Sequence, residues 1–192
     1  MNILFFDTET TGLPVWSSPS DAPEQPHLVE LAAVLVNTNT LETHQTLSVI
    51  VRPDGWTIPQ ETIDVHGITN EVAQQVGVPE KLAVQMLLAL VAGADKRVCY
   101  NRTFDQRIIR IALKRYGFDE ATQEEWARTD DFECAMLRAK AHLKLGKQCK
   151  LSEAFESIMG VPMAGAHRAM TDTRACLDIY LAMRGALEIG HG

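Results

Sequence analysis

An apolar run near the N-terminus leads directly into two acidic residues, and this combination most constrains the fold. Ile3–Phe6 is followed by Asp7, Thr8 and Glu9, and the polar stretch ends at Gly12. A short apolar run that ends before a glycine is typical of a buried strand. Because side chains two residues apart on a strand face the same side, we expect the Asp7 and Glu9 carboxylates to leave the strand end together.

Such a carboxylate pair has two interpretations. Like charges at this separation repel, so one carboxyl group holds a proton unless a cation lies between them. Carboxylate oxygens are suitable ligands for Mg²⁺ or Mn²⁺, and a metal site is therefore one interpretation. The other is a strand end with solvated acids, or Asp7 capping a turn, and this is the commoner outcome for an isolated Asp-x-Glu. The rest of the chain has to decide between them.

Length and composition indicate one globular domain over residues 1–192. The chain is 46% hydrophobic, which is enough for a sizeable core. It lacks an apolar stretch of membrane-spanning length and a secretory signal, so we predict a cytoplasmic protein with no membrane partner. Four scattered cysteines, without Cys-x-x-Cys spacing, argue against a zinc site or a disulfide framework.

The charge distribution limits the kinds of nucleic-acid binding that are expected. A net charge of −7 argues against a tight, sequence-independent duplex binder. It does not exclude an enzyme that holds a few nucleotides through metal ions, because the ions invert the local field. Residues 136–150 carry five Lys or Arg side chains and His142 but no acid. This basic segment is either a path for a phosphate backbone or a solvated helix face, and both interpretations remain open.

The order of predicted elements indicates an α/β domain with a mixed sheet flanked by helices. Three strands form a predicted antiparallel meander, at 2–7, 28–36 and 41–51. Two further strands are predicted, at 97–101 and 127–131. The principal helices are predicted at 60–64, 70–76, 80–92, 103–116, 132–143, 151–159 and 168–187.

Three more residues are candidates for chemistry, although each has an ordinary explanation when taken singly. Asp105 lies in the first turn of a helix whose predicted N-cap is Thr103, and the helix dipole alone favours an acid there. His167 and Asp172 lie at the head of the last helix, after a loop that contains Gly165. Taken singly, such residues are more often caps or surface residues than catalytic groups.

In this order along the chain, however, the same residues resemble the DEDDh family of 3′–5′ exonucleases, which includes the proofreading epsilon subunit of bacterial DNA polymerase III. The resemblance runs from residue 2 to about 183. The segments that carry it are 6–13 (FDTETTGL), 101–105 (NRTFD) and 167–172 (HRAMTD), together with 65–69 (VHGIT).

The resemblance implies a ribonuclease-H-like fold with a five-stranded mixed sheet flanked by helices. It implies His167 as general base and two Mg²⁺ or Mn²⁺ ions. The implied metal ligands are Asp7, Glu9, Asp105 and Asp172. The implied substrate-binding residues are Thr10, Leu13, Glu61, His66, Asn101 and Phe104. Tyr100 is a departure, because many members have histidine there, and this puts one substrate contact in doubt.

The implied function is release of nucleoside 5′-monophosphates from single-stranded or mispaired DNA 3′ ends, in proofreading or repair, with a DNA polymerase as a candidate partner. An exoribonuclease is the first alternative, because nothing in the sequence decides how a 2′-OH would be treated. An inactive nucleic-acid-binding or polymerase-accessory module is the second.

The loop at 14–27 is longer than the minimal family turn. Trp16 within it has two interpretations: it stacks on a base, or it is exposed on a mobile loop. The mobile loop is the favoured interpretation.

Overall fold

A five-stranded mixed sheet forms the centre of the protein in the computed structural model, which describes residues 1–189, with side chains to residue 185. Residues 190–192 of the predicted domain lie outside the described residues. The strand order is β3-β2-β1-β4-β5, with β2 antiparallel to β1 and β3, and β4 parallel to β1 and β5. The predicted sheet is confirmed. The strands are β1 (Asn2–Thr10), β2 (Leu28–Asn37), β3 (Glu42–Ile50), β4 (Lys96–Cys99) and β5 (Phe132–Cys134).

Helices account for most of the remaining chain within residues 1–189, and none of them is long and apolar enough to cross a membrane. Predicted and observed bounds agree closely for most of them. The helices are α1 (Gln60–His66), α2 (Asn70–Val76), α3 (Glu80–Val91), α4 (Arg102–Arg115), α5 (Glu120–Ala127), α6 (Ala135–His142), α7 (Leu151–Met159) and α8 (Ala169–Ile189).

The alternation of β1 decides which side chains face which layer of helices. Leu4 and Phe6 pack into a core with α3 and α4 on one face of the sheet. Ile3 and Phe5 pack into a second core with α6, α7 and α8 on the other face. Since side chains alternate along a strand, Asp7 and Glu9 continue the Ile3 and Phe5 side. The two acids therefore face the helix layer that contains α8.

The predicted strand at 127–131 is wrong, because Ala127 ends α5 and residues 128–131 form a loop around a buried arginine. The Arg97 side chain is 1% exposed and pairs with the Asp131 carboxylate at 2.6 Å. It also donates hydrogen bonds to the carbonyls of Trp126 and Arg128, at 3.3 and 2.9 Å. Because those carbonyls accept hydrogen bonds from the guanidinium group, they are not paired with a neighbouring strand. Strand β5 begins only at Phe132.

The predicted cap of α4 is also displaced. The helix begins at Arg102 with Asn101 as its N-cap, and the side chain of Asn101 makes no capping hydrogen bond. The Asn101 carbonyl instead accepts hydrogen bonds from the backbone N–H groups of Phe104 and Asp105, at 3.0 and 3.3 Å. The helix therefore starts before the Thr103–Gln106 pair that predicted its cap, and Asp105 stays within the first turn.

Candidate active site

Three acidic side chains meet at the edge of the sheet where β1 ends. Asp7 and Glu9 come from the last residues of β1, and Asp172 comes from the first turn of α8. One carboxylate oxygen from each of the three lies within 4.8 Å of the other two. The sheet and one helix N-terminus thus bring together side chains that are 163 to 165 residues apart in sequence.

The fourth predicted acid, Asp105, reaches the same edge from the opposite helix layer. Asp105 lies in the first turn of α4 and is 2% exposed. Its Oδ1 atom accepts a hydrogen bond from the Thr8 hydroxyl at 2.9 Å. Thr8 lies between Asp7 and Glu9, and its side chain faces the opposite side of the sheet. Strand β1 therefore holds Asp105 through the Thr8 hydroxyl on one face and carries the Asp7 and Glu9 carboxylates on the other.

The site is electrostatically costly without a cation. Burial is the largest cause that raises the pKa of each acid, to about 8 for Glu9, about 7 for Asp105 and about 6 for Asp172. Burial, followed by the charges of Asp105 and Asp172, raises the pKa of Asp7 well above its usual range. Neighbouring carboxylates therefore oppose one another's ionisation, as expected for like charges in a partly buried site.

The donor set fits a hard divalent cation. The four side chains offer only carboxylate oxygens, the ligand type that suits Mg²⁺ and Mn²⁺. The Asp172 Oδ1 atom is buried and has no hydrogen-bond partner among the described residues. Buried carboxylate oxygens are normally hydrogen-bonded or bound to metal, so this atom is suitable as a cation ligand.

His167 lies beside Asp172 at the entrance to α8. Burial raises the pKa of Asp172, and the charge of a protonated His167 together with its backbone N–H opposes this rise. The imidazole is exposed, and the residue adopts a left-handed backbone conformation with φ of 67°. A residue other than glycine rarely adopts this conformation, and such strain is concentrated at functional sites.

The buried Glu30 forms an ion pair with Arg168, a half-exposed side chain at the head of α8, and the sequence did not predict this contact. Glu30 is 2% exposed, and its carboxylate accepts from Arg168 Nε at 3.1 Å and Nη2 at 2.7 Å. It also accepts from the backbone N–H of Ala169, the first residue of α8, at 2.9 Å. Glu30 pairs with Glu9 across β1 and β2, so the same contact connects the strand pair to the His167 and Asp172 segment.

A signal for Glu30 was present in the sequence. It is the one acid within the apolar run 28–36, which is otherwise typical of a fully buried strand. A buried carboxylate requires a partner, and the partner lies 138 residues away in sequence.

His66 lies close to this contact, with one ring nitrogen unused. Its Nδ1 atom accepts from the backbone N–H of Ile68 at 3.1 Å, so the ring proton of the neutral form is on Nε2. Nε2 is buried without a hydrogen-bond partner among the described residues, and burial lowers the pKa of His66. Glu30 and Arg168 also act on that pKa, which places His66 near the site. Glu61 is exposed at the other end of the same helix.

The other predicted substrate residues lie around the end of β1 and the start of α4. Thr10 is buried, and its hydroxyl donates to the Gly12 carbonyl at 2.7 Å. Leu13 is 78% exposed, the most exposed of the large hydrophobic side chains described. Asn101 and Phe104 line a cavity of about 340 Å³. An exposed leucine and a half-buried phenylalanine beside acids provide apolar contacts for a nucleotide.

Tyr100, where many family members have histidine, has a structural role. Its side chain is 7% exposed and packs in the core with α6 and α8. Its hydroxyl donates to the Cys149 carbonyl at 2.7 Å. The tyrosine therefore ties β4 to the end of the basic segment, and its hydroxyl is already bonded to protein.

Comparison with known proteins decides the family. Residues 4–180 match the family described as Exonuclease. This chain belongs to that exonuclease family. The predicted 3′–5′ exonuclease activity is confirmed at this level, and the DEDDh exonucleases depend on divalent metal ions, in agreement with the acid cluster.

Individual relatives of this exonuclease are distant. Ribonuclease T of Actinobacillus pleuropneumoniae serotype 5b (strain L20) is 26% identical over 201 residues, covering 96% of this chain and 84% of the relative. The nuclease domain of 3′hExo, described as a DEDDh family member bound to rAMP, superposes with a TM-score of 0.73 at 18% identity, over 96% of this chain and 92% of that one.

Exonuclease I of E. coli in complex with a dT13 oligonucleotide gives a TM-score of 0.72 at 20% identity. The match covers 95% of this chain, which spans 41% of the length of exonuclease I. At these identities, the solved structures show the fold shared with this exonuclease, and the predicted ribonuclease-H-like architecture is confirmed.

The first prediction concerns stability without metal. An acid with a raised pKa binds more protons folded than unfolded, so the free energy of unfolding should fall as pH rises from about 5 to about 8. Glu9→Gln should flatten this dependence and raise the Tm at pH 8 by a few °C, about 1 kcal/mol corresponding to roughly 2–4 °C at this size. Thermal melts in EDTA across this pH range measure the effect.

Two controls accompany these melts. Glu124→Gln, an exposed change on α5, should leave the pH dependence as in the parent. Saturating Mg²⁺ should raise the Tm of the parent more at pH 8 than at pH 5, because only ionised carboxylates bind the ion. A parent Tm that rises with pH in EDTA would contradict the assigned burial of the acids.

The second prediction concerns the Glu30–Arg168 contact. Arg168→Ala should lower kcat roughly 10- to 100-fold, the scale of effect of a displacement of about 1 Å, because the head of α8 loses its anchor. KM for a single-stranded oligonucleotide should change less, since Arg168 is bonded to Glu30 and not to substrate. Arg174→Ala, on the exposed side of α8, is the matched control and should retain the parent kcat. A change confined to KM would instead make Arg168 a substrate contact.

Proposed function

We propose that this exonuclease releases nucleoside 5′-monophosphates from unpaired DNA 3′ ends, with Asp7, Glu9, Asp105 and Asp172 holding two Mg²⁺ or Mn²⁺ ions. The observation that carries the proposal is the meeting of three carboxylate oxygens within 4.8 Å, one of the carboxylates having a buried oxygen without a hydrogen bond. When bound, two such ions stabilise the charge that develops on the attacking and leaving oxygens of the phosphodiester.

His167 is the proposed general base. It is exposed at the rim of the acid cluster, beside Asp172, where a water molecule can reach it. A histidine side chain can accept a proton near neutral pH, which suits removal of a proton from the attacking water. The left-handed backbone turn at His167 places the residue at this rim.

The 3′ nucleotide would contact the remaining predicted residues. The His66 Nε2–H group is a buried donor without a partner among the described residues, and an oxygen of the terminal nucleotide would satisfy it. Leu13 and Phe104 offer apolar surface for the base, and Thr10 keeps the Leu13 turn in place through its bond to Gly12. Glu61, which shares helix α1 with His66, and Asn101, three residues before Phe104, are exposed and complete the proposed contacts.

An unpaired end is the favoured substrate because of the charge distribution. A protein with a net charge of −7 gains little from the phosphates of a long duplex. In the basic segment, Lys144 and Lys147 are exposed and make no ion pair with the side chains that the structure describes, so they are free for a short stretch of strand. Proofreading with a DNA polymerase partner is a finer part of this proposal and rests on the sequence resemblance. A cytoplasmic location is part of the same proposal.

RNA ends are the second candidate substrate. This alternative is favoured by the relatives named Ribonuclease T, at 26% and 25% identity. Solved structures of similar fold contain either DNA oligonucleotides or rAMP, so they support both candidates equally. The third alternative, an inactive binding module, is disfavoured by the complete set of four acids and His167, which a pure binding role does not need.

The third prediction tests substrate class directly. Matched DNA and RNA 12-mers, each single-stranded and as blunt duplexes, are incubated with Mg²⁺, and released mononucleotides are measured. Single-stranded DNA should be degraded fastest, with RNA slower by a modest margin. Blunt duplexes should be slower still, because unpairing an end costs on the order of a few kcal/mol. Faster release from RNA would favour the exoribonuclease, and faster release from duplex would contradict the unpaired-end proposal.

The fourth prediction tests His167. Replacement by Ala should lower kcat by roughly 10²- to 10⁴-fold, the usual range for loss of a general base. His167→Asn is the second variant, because asparagine tolerates a positive φ and keeps the turn. Both variants should also lose the rise of kcat with pH through the neutral range. A normal rate with the parent pH profile in the asparagine variant would remove His167 from the mechanism.

A further inference from the structure

The loop at 14–27 is built around one buried glutamine. Gln25 is 2% exposed, and its side chain accepts from the Val15 backbone N–H at 3.1 Å. It donates to the carbonyls of Val15 and Pro19, at 2.9 and 3.0 Å. A single side chain thus closes the loop on itself, and it holds both the backbone N–H and the carbonyl of Val15, the residue before Trp16.

Two arginines of α4 bind the same loop to the body of the protein. Arg107 donates to the Ser18 carbonyl, and Arg115 donates to the carbonyls of Gln25 and Pro26, at 2.7 and 3.0 Å. The sequence favoured a mobile loop at this point, but the loop is hydrogen-bonded both internally and to α4. The reason is that its partners, Gln25 and the two arginines, are polar residues that composition alone does not distinguish from surface residues.

This anchored loop presents Trp16 to solvent. The indole is 56% exposed, and the Arg107 guanidinium lies 6.0 Å from the ring centroid. The ring borders the cavity of about 340 Å³, which is also lined by Asn101, Phe104, Met136 and Gln148. A large aromatic side chain that is exposed on an anchored loop and faces a groove is typical of a binding surface.

The groove connects the active site with the basic segment. On one side, it shares Phe104, the residue before Asp105, with the proposed pocket of the terminal nucleotide. On the other side, it shares Gln148 with a second cavity, of about 600 Å³, whose lining includes Leu145 and Lys147 of the basic segment. A chain that leaves the acid cluster through this groove would therefore pass an aromatic face and then positive charge.

We propose that Trp16 stacks on a base upstream of the terminal nucleotide, so that the groove is a second subsite for single-stranded nucleic acid. This proposal rests on the proposed exonuclease function and adds a contact beyond the terminal nucleotide. The occupant has a flat π-face and a phosphate backbone, because the groove offers an indole ring and adjoins, at Gln148, the cavity that Lys147 lines. Stacking on an aromatic ring is tolerant of sequence, which suits a nuclease that must move along any strand.

The test compares substrates that do and do not reach the groove. Thymidine 5′-monophosphate p-nitrophenyl ester carries one nucleotide, and DNA oligonucleotides of two to eight residues extend progressively upstream. Trp16→Ala should raise KM roughly tenfold or more for the longer oligonucleotides, the scale of effect of one lost stack. Hydrolysis of the ester should be unchanged. Trp16→Phe, which keeps an aromatic face, should restore most of the affinity.

An abasic scan locates the stacked base. Removing one base at a time from an octamer should abolish the difference between the parent and Trp16→Ala at one upstream position only. In EDTA, where hydrolysis does not occur, the octamer should quench tryptophan fluorescence of the parent more than that of Trp16→Phe. Leu41→Ala is the control, since Leu41 is 64% exposed at the opposite end of the sheet and should behave as the parent.

The outcomes separate the two proposals. An ester that the parent does not hydrolyse would remove the proposed exonuclease chemistry itself. The subsite alone would be overturned if the parent hydrolyses the ester but the parent and Trp16→Ala have equal KM values at every oligonucleotide length. An equal loss on ester and octamer would also overturn it, because Trp16 would then act through the acid cluster. A length-dependent loss without a position dependence in the abasic scan would replace base stacking by a backbone contact and overturn the proposal.

Discussion

The mutual repulsion of four carboxylates in the partly buried site at the end of β1 is the constraint on which the rest of the site depends. Asp7 and Glu9 are fixed by the central strand, while Asp105 and Asp172 arrive in the first turns of α4 and α8. Helix N-termini carry partial positive charge, which makes these turns suitable places for acids. The fold thus positions the charges without neutralising them, and a divalent cation bound by these oxygens would compensate the negative charge.

Glu30 connects the charge of the acid cluster to the position of helix α8. It adds another buried acid beside Glu9, where it contributes to raising the pKa of that residue. Arg168 offsets it with two hydrogen bonds, and Ala169 provides a third. Because these bonds hold the residues directly after His167, the same contact also positions the proposed general base and the helix that carries Asp172. Removal of Arg168 would leave the buried Glu30 carboxylate without its main partner, and an unpaired buried charge is strongly destabilising.

The sequence predicted the elements and the four acids because both follow from short-range patterns. The alternation and length of the strands gave the meander, and the order of the three acidic segments gave the family. The fifth strand was placed too early because Arg97 captures the carbonyls of residues 126 and 128, a contact over about 30 residues that periodicity does not encode. Glu30, Arg168 and the anchored loop were missed for the same reason, since each depends on a partner more than 80 residues away in sequence.

The acidic surface and the local groove together explain why contact with substrate would be concentrated at one edge of the sheet. Away from this edge, a net charge of −7 gives a strand little electrostatic attraction, so affinity has to come from contacts that do not rely on long-range charge. Stacking and buried hydrogen bonds meet this requirement, because neither depends on the ionic atmosphere as phosphate contacts do. A short contact surface that is mainly uncharged also lets the bound strand dissociate easily. This matters because an exonuclease must shift its strand by one nucleotide after every cleavage. The same weakness towards phosphates that disfavours duplex binding therefore favours repeated movement along a single strand.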